Sequence, residues 1–291
     1  MKTVVAFGET LWDLLPTGPV LGGAPANFAY RVNSLGDRGI IVTRLGRDDL
    51  GKKASDRLAA LGMDPSQVQW DETKPTGTVP VTIDSKGVPD FTIVKDVAYD
   101  SIQPVDVKAD AICFGTLVQR SPVSRGSLHR LLDSQPSALK FCDINLRRDC
   151  FTRGTVAGSL ERADIVKLND GEALWLRASF GLRGKTPAAI ARELRGRWSL
   201  DAVVVTMGEK GAMAVTEREE ASVPGWKVDI ADTIGSGDAF SAAFLHCWMK
   251  GRSLADCCFF GNALGAMIAR TKGATAPIAV DEINRFCGRT I

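Results

Sequence analysis

The sequence predicts an α/β protein: a doubly wound, mostly parallel sheet flanked by helices, with a small antiparallel β lid. Three observations lead there. Short β-branched runs alternate with amphipathic stretches along most of the chain, the pattern of a parallel sheet covered on both faces. The 291 residues, 45% of them apolar, suffice for a sizeable core. One stretch, 78–94, breaks the alternation and reads as a hairpin with no helix between its strands.

The first strand is expected at 3–7 (TVVAF). Residues 11–20, carrying Pro16, Gly18 and Pro19, fit no regular core element and are assigned to the lid. A helix follows at 24–35, where Phe28, Val32 and Leu35 recur at i, i+4 and i+7. The next strand is expected at 40–43 (IIVT). Then TVPVTID (78–84) and DFTIV (90–94) interleave polar and apolar residues around SKGVP, completing a flap able to close over a cleft. Strands resume at 111–114 (AICF), 139–142 (LKFC), 165–168 (IVKL) and 202–206 (AVVVT). From 238 the chain turns helical, with Phe240, Ala243, Phe244, Cys247 and Trp248 marking a broad apolar face, and helices continue at 254–270 and 281–287. Residues 1–291 are expected to form one domain with lid insertions at about 11–20 and 72–100.

Composition narrows the function classes. Lys and Arg number 36 against 34 Asp and Glu, a net charge of +2, and no basic block occurs, which argues against a nucleic-acid or anionic-membrane partner. Only two histidines, His129 and His246, are present, too few for a zinc hydrolase or a Ser-His-Asp arrangement, so a general base here is expected to be a carboxylate. Seven cysteines without a C-x-x-C pair, two of them adjacent at 257 and 258, read as reduced thiols. The start of the chain fits no signal peptide and no apolar run is long enough to span a bilayer, so a cytoplasmic protein acting on small molecules is expected.

Three glycine-rich segments compete for an anion-binding role. Gly46 to Lys53 is one residue short of a P-loop and places Asp48 and Asp49 where anions would sit, so it reads as a turn into a helix capped by one of these acids. Gly235-Ser236-Gly237 fails the dinucleotide fingerprint, since Phe240 stands at its third glycine position and Asp238 would face the pyrophosphate. In Asp232-Thr-Ile-Gly-Ser-Gly-Asp238 the small residues instead let backbone N–H groups at a helix start converge on an anion, while Asp238 is placed to take a proton from an attacking hydroxyl. An N-cap role for Asp238 is the alternative. The third segment, Gly22-Gly23-Ala24-Pro25-Ala26-Asn27, lets a ligand approach the backbone closely, puts Pro25 in a first helical turn and offers the Asn27 amide to a vicinal diol.

Together, GGAPANFAYRVNSLG and DTIGSGDAF resemble the two signatures of the PfkB, or ribokinase-like, carbohydrate kinase family. Intermediate landmarks appear in order: Gly8-Glu-Thr-Leu-Trp-Asp13, Lys167-Leu-Asn169-Asp-Gly-Glu172 and Thr206-Met-Gly208-Glu-Lys-Gly211. The resemblance implies a ribokinase-like α/β core with a β lid, a sugar held between them and ATP along the carboxyl ends of the strands. Asp238 would then be the base, and Gly235, Ser236 and Gly237 the anion hole. Asp13, Gly22, Gly23 and Asn27 would bind sugar hydroxyls, and Asn169 and Glu172 would organise hydrated Mg2+. Thr206, Gly208 and Gly211 would meet the nucleotide, and Asn262 would line the adenine pocket. Potassium activation is implied as well, with carbonyls around Asp232 and Ile234 and the loop at 270–275 holding the ion. Ser236 replaces the alanine of many members but is equally small.

The substrate expected is D-fructose, phosphorylated at its 6-hydroxyl. Asp13 and the lid segment from Phe91 to Asp100 resemble bacterial fructokinases more than ribokinases, and Asp143-Ile-Asn145-Leu-Arg147 resembles the D-x-N-x-R element of fructokinases and 2-keto-3-deoxygluconate kinases, with Arg147 reaching phosphate or sugar. The alternatives are 2-keto-3-deoxygluconate, ribose, or a catalytically silent sugar sensor. Lid strands of this family can pair between subunits, so a homodimer through the lid is a further expectation.

Overall fold

The computed structural model describes residues 1–16, 18–83 and 89–290. In chain order the elements begin with β1 (Thr3–Phe7), β2 (Leu11–Leu15), β3 (Gly18–Gly22), α1 (Ala24–Ser34), β4 (Arg38–Gly46), α2 (Asp49–Ala60), β5 (Val68–Asp71), β6 (Gly77–Ile83) and β7 (Pro89–Phe91). There follow β8 (Ala111–Phe114), α3 (Pro122–Ser134), β9 (Leu139–Asp143), α4 (Arg153–Leu160), β10 (Ile165–Asn169), α5 (Asp170–Phe180), α6 (Pro187–Trp198) and β11 (Ala202–Thr206). β12 (Ala212–Thr216), β13 (Glu220–Val223), α7 (Ser236–Met249), α8 (Leu254–Ala269) and α9 (Val280–Cys287) complete the chain.

The main sheet has the order β13-β12-β11-β10-β9-β8-β1-β4-β5. Pairing is parallel from β5 across to β11 and antiparallel for β12 and β13. Its strands are apolar on both faces because helices cover both. Val5, Phe7, Ile112, Phe114, Val166, Leu168 and Val203 point to a core closed by α3, α4, α5 and α6. Val4, Ala6, Ile41, Phe141, Ile165 and Val204 point to a second core closed by α1, α7 and α8. Phe28, Phe141 and Phe244 tie α1, β9 and α7 together with ring centroids 6.4 and 6.3 Å apart. The six strands read from the sequence all form. Three others, β5, β12 and β13, were not expected.

The lid is the sheet β3-β2-β6-β7. Each hairpin is antiparallel as expected, and the pairing of the second runs on to Val94, whose N–H donates to the Thr78 carbonyl. The two hairpins join through a parallel pair, β2 with β6, so the lid is mixed rather than antiparallel throughout. Both strands leave the carboxyl ends of parallel core strands, β1 and β5, and therefore run outward in the same direction. Of the turn expected at 85–89, residues 85–88 lie outside the described residues and Pro89 belongs to β7.

Between β1 and β8 the strand order reverses. That switch point is where an open parallel sheet leaves a crevice at its carboxyl edge. Asp48 proves to be the N-cap of α2, accepting from the Gly51 N–H at 2.7 Å and from Thr76, as expected for a segment that is no phosphate loop. All seven cysteines are free. Among the described residues no helix is long and apolar enough to cross a membrane.

Candidate active site

The site is built around the first turn of α7, which begins at Ser236, two residues earlier than expected. Gly235 caps it in the left-handed region, φ 78°, and any Cβ there would lie 2.3 Å from that of Ala274. The N–H groups of Gly237 and Asp238 have no helical partner one turn back and remain available to an anion. Ser236 departs from expectation: its N–H closes onto the Thr233 carbonyl at 3.2 Å, and it contributes instead a buried hydroxyl with no protein partner.

Asp238 lies in that turn, partly exposed to the crevice. It does not cap the helix. Its Oδ2 accepts from Nδ2 of the buried Asn27 at 2.9 Å, leaving Oδ1 to take a proton. Burial pushes its carboxyl up to about 6. The Asn27 bond opposes this, the charge of Asp143 reinforces it, and Lys167 and Arg147 pull it back. Asn27 thus commits one amide N–H to the carboxylate, and its second N–H and its oxygen remain for a diol.

Beside Asp238 is a small hollow, lined by Glu9 just beyond β1, the start of α1, Gly115 to Leu117 after β8, Asp143 at the end of β9 and Asn145 after it. It sits at the switch point. Glu9 escaped the sequence reading, because a single acid after a strand has no pattern. It is buried, which pushes its carboxyl up to about 7, helped by the charge of Asp238 and opposed by Arg147. Gly23, φ 112°, lets α1 begin against the Glu9 carbonyl, which a Cβ would meet at 2.4 Å. Asn145 takes φ 42°, a conformation its short amide tolerates. Asp13 on β2 lies against Gly22, and burial raises its carboxyl while Arg147 lowers it. The exposed Arg147 therefore acts on Glu9, Asp13 and Asp238 together. Phe91 on the lid is 48% exposed and, like Asp13, Gly22, Gly23, Asn27 and Arg147, does not line the hollow itself.

On the other side of the same turn lies a larger cleft, reached by Ser236 and Gly237. Thr206, Gly208 and Gly211 line it as expected, with Gly225, Trp226, Gly261 and Asn262. Asn262 is there, but its amide donates to the carbonyls of Val223 and Pro224 at 3.1 and 3.2 Å, so it shapes the wall by holding the β13 exit.

Below the turn is an ion pair that sequence reasoning passed over. Nζ of Lys167, on β10, lies 3.1 Å from both oxygens of Asp143, and Ser241 Oγ donates to Asp143 Oδ2 at 2.8 Å. A Cβ on Gly237 would stand 3.3 Å from that ammonium. Its signal was faint: a lysine inside a β-branched run.

Asn169 and Glu172 form a capping box at the start of α5. Glu172 Oε2 accepts from the Asn169 N–H and Oε1 from the Leu146 N–H, both at 2.8 Å, and Asn169 Oδ1 accepts from the Glu172 N–H. Glu172 is buried, which raises its carboxyl, while Lys167 lowers it. No group of three potential ligands that could enclose a metal occurs among the described residues. Hydrated magnesium on a phosphate ligand needs only one or two carboxylates, and each Glu172 oxygen keeps a lone pair, so the donor set fits an ion held through water.

The loop expected to hold potassium is tightly laced. Asp232 Oδ1 accepts from the Ile234 N–H at 2.9 Å and Oδ2 from the Gly273 N–H at 3.2 Å. The Ala274 carbonyl accepts from Nη2 of Arg31, a fully buried residue of α1.

Comparison with known proteins shows the family and the fold. The sequence profile described as pfkB family carbohydrate kinase matches residues 17–281. Fructokinase-1 of Zea mays is 28% identical, the match covering 94% of this chain and 93% of the plant protein. The crystal structure of an uncharacterized sugar kinase from Pyrococcus horikoshii superposes with TM-score 0.85 at 26% identity over 99% of both chains. A double mutant of Vibrio cholerae O395 fructokinase, solved with fructose, ADP and potassium, superposes with TM-score 0.86 at 24% identity over 99% of this chain and 98% of its own.

Proposed function

Because the chain belongs to the pfkB family of carbohydrate kinases, we propose that it transfers the γ-phosphoryl group of ATP to the 6-hydroxyl of D-fructose. One observation carries this reading: the first turn of α7 is the wall between the two cavities, with Asp238 facing the hollow and Ser236 and Gly237 facing the cleft. A phosphoryl group crossing from cleft to hollow passes over the N–H groups that wall presents.

The sugar hydroxyl attacks the γ-phosphorus as its proton passes to Asp238 Oδ1, and the bond to the ADP oxygen breaks. Asn27 holds the carboxylate in place. The Gly237 and Asp238 N–H groups face the transferred group, and Lys167 adds positive charge from below. Magnesium, when bound with the phosphates, supplies further charge neutralisation. Asn169 and Glu172 are the residues that would order its waters.

A neutral polyol suits the hollow. Its lining carries three acids, Glu9, Asp143 and Asp238, and no Lys or Arg, so no cation in the lining itself is there to clamp a sugar acid. Glu9 and Asp13 each offer oxygens to hydroxyl donors. We expect kcat/KM for fructose to exceed that for ribose and for 2-keto-3-deoxygluconate by at least about tenfold, since a site built to pair hydroxyls rejects analogues that leave them unpaired. A coupled ADP-release assay over these three sugars checks it. Preference for the acidic sugar or for ribose would overturn the fructose assignment and leave the phosphoryl-transfer reading standing.

The pH dependence follows from Asp238. The proton acceptor must be ionised, so kcat/KM should be level at neutral pH and fall as pH drops through about 6, the value to which burial pushes this carboxyl. A limb near the ordinary carboxylate range, about pH 4, would place the base elsewhere.

A further inference from the structure

Arg31 is the one fully buried arginine of the described chain, and its environment is incomplete. Nη2 donates to the Ala274 carbonyl and the guanidinium lies over the Tyr30 ring, 4.9 Å from its centroid, yet Nε and Nη1 have no hydrogen-bond partner. A buried guanidinium with two unpaired nitrogens is costly to keep for packing alone. Burial lowers its pKa only to about 10, so it stays charged at neutral pH, and the charge of Asp238 acts on it favourably.

Its position is specific. Arg31 is one helical turn beyond Asn27, which holds Asp238. Ala274, whose carbonyl it grips, is the residue packed against the Gly235 cap of α7. The segment around Ala274 is tied to the Asp232–Ile234 loop: Gly273 N–H donates to Asp232 Oδ2, and the N–H groups of Ala231 and Asp232 donate to the Ala269 carbonyl. The guanidinium thus enters, from behind, the loops whose carbonyls were expected to hold potassium.

We propose that the Arg31 guanidinium is a built-in cation behind the anion hole, taking a carbonyl that a monovalent ion would otherwise take, so that this kinase needs no potassium. This departs from the potassium activation expected from the sequence. The fixed charge adds to the helix dipole at the α7 N-terminus and favours the charge that develops on the transferred phosphoryl group. A second cation at the same loops would be repelled by it.

The inference rests on the phosphoryl-transfer reading, and the experiment separates the two. Sugar-dependent ADP release and melting temperature are measured in KCl and in tetramethylammonium chloride at equal ionic strength, for the wild type and for Arg31→Met. The wild type should turn over equally in both salts, within about twofold, and melt at the same temperature in both. Arg31→Met should lose about tenfold to a hundredfold in kcat in tetramethylammonium, recover in KCl, and be raised in melting temperature by KCl alone. Potassium stimulation or potassium-specific stabilisation of the wild type would overturn the proposal, as would an Arg31→Met enzyme that KCl neither rescues nor stabilises. A wild type silent on sugars in both salts would strike at the kinase reading, and the melting comparison would still decide the role of Arg31.

Discussion

Asp238→Asn is expected to lower kcat by about 10² to 10⁴, the usual worth of a positioned general base, with sugar affinity little changed. The substitution is close to isosteric, and the amide oxygen can still accept from Asn27, so geometry is preserved while the proton acceptor is lost. Stability should move the opposite way. A carboxyl raised to about 6 in the folded state, against about 3.9 unfolded, binds its proton more tightly when folded, so its ionisation removes stability as pH rises from about 4 to about 6, and the deficit persists above that. The neutral Asn lifts that deficit, by on the order of 1–3 kcal/mol at pH 7. An inactive but more stable protein is the signature of a base held at the expense of the fold. Single-turnover kinetics and urea unfolding at pH 7 check both signs, and a variant retaining more than about a tenth of wild-type kcat would remove Asp238 from the role.

Lys167→Met should destabilise the chain by about 3–5 kcal/mol, because it leaves Asp143 an unpaired charge in a nearly enclosed position. Both side chains are little exposed, 8% for Lys167 and 13% for Asp143, so solvent screens the pair weakly. Removing both charges in Lys167→Met/Asp143→Leu should restore most of the stability, since matched apolar replacements of buried pairs are often near neutral. Activity should not return, because the ammonium below Gly237 is still missing. Urea midpoints of the single and double variants measure the coupling. A single variant that unfolds at the wild-type midpoint would show the pair to be energetically idle.

Sequence pattern reached the parts of this molecule that are local. The strands IIVT, IVKL and AVVVT announce themselves by β-branched runs, and α1 by its periodicity. AMAVT at β12 did not, because alternate alanines carry little strand preference and only its antiparallel neighbours hold it in place. VQWD at β5, a half-exposed edge strand, lacks an apolar run altogether. The same division holds in the site. Asp238 and the glycines around it lie within one heptapeptide and were legible. Lys167 reads as a stray charge until Asp143, 24 residues away on the neighbouring strand, supplies its partner. Arg31 had a signal that went unused: it follows Phe28 by three residues and so lies on the helix face that the apolar residues mark as buried.

The hydrogen bond between Asn27 and Asp238 spans 211 positions of sequence, and that between Arg31 and Ala274 spans 243. These separations impose an order on birth as well as on catalysis. During synthesis β1 and α1 leave the ribosome well before α7, the principal partner that buries the inner face of α1. At about 5–20 residues per second, that face waits roughly 10–40 s for its cover. Until then Phe28 and Val32 are open to other chains, and Arg31 is hydrated rather than sealed. The newborn chain can lay down most of its sheet while still lacking the first turn of α7, the Asn27–Asp238 bond and the Arg31–Ala274 bond. On the proposed mechanism, competence to act on sugar arrives only once α7 docks, and a chain stalled before that helix is expected to be inert however much of its sheet has formed.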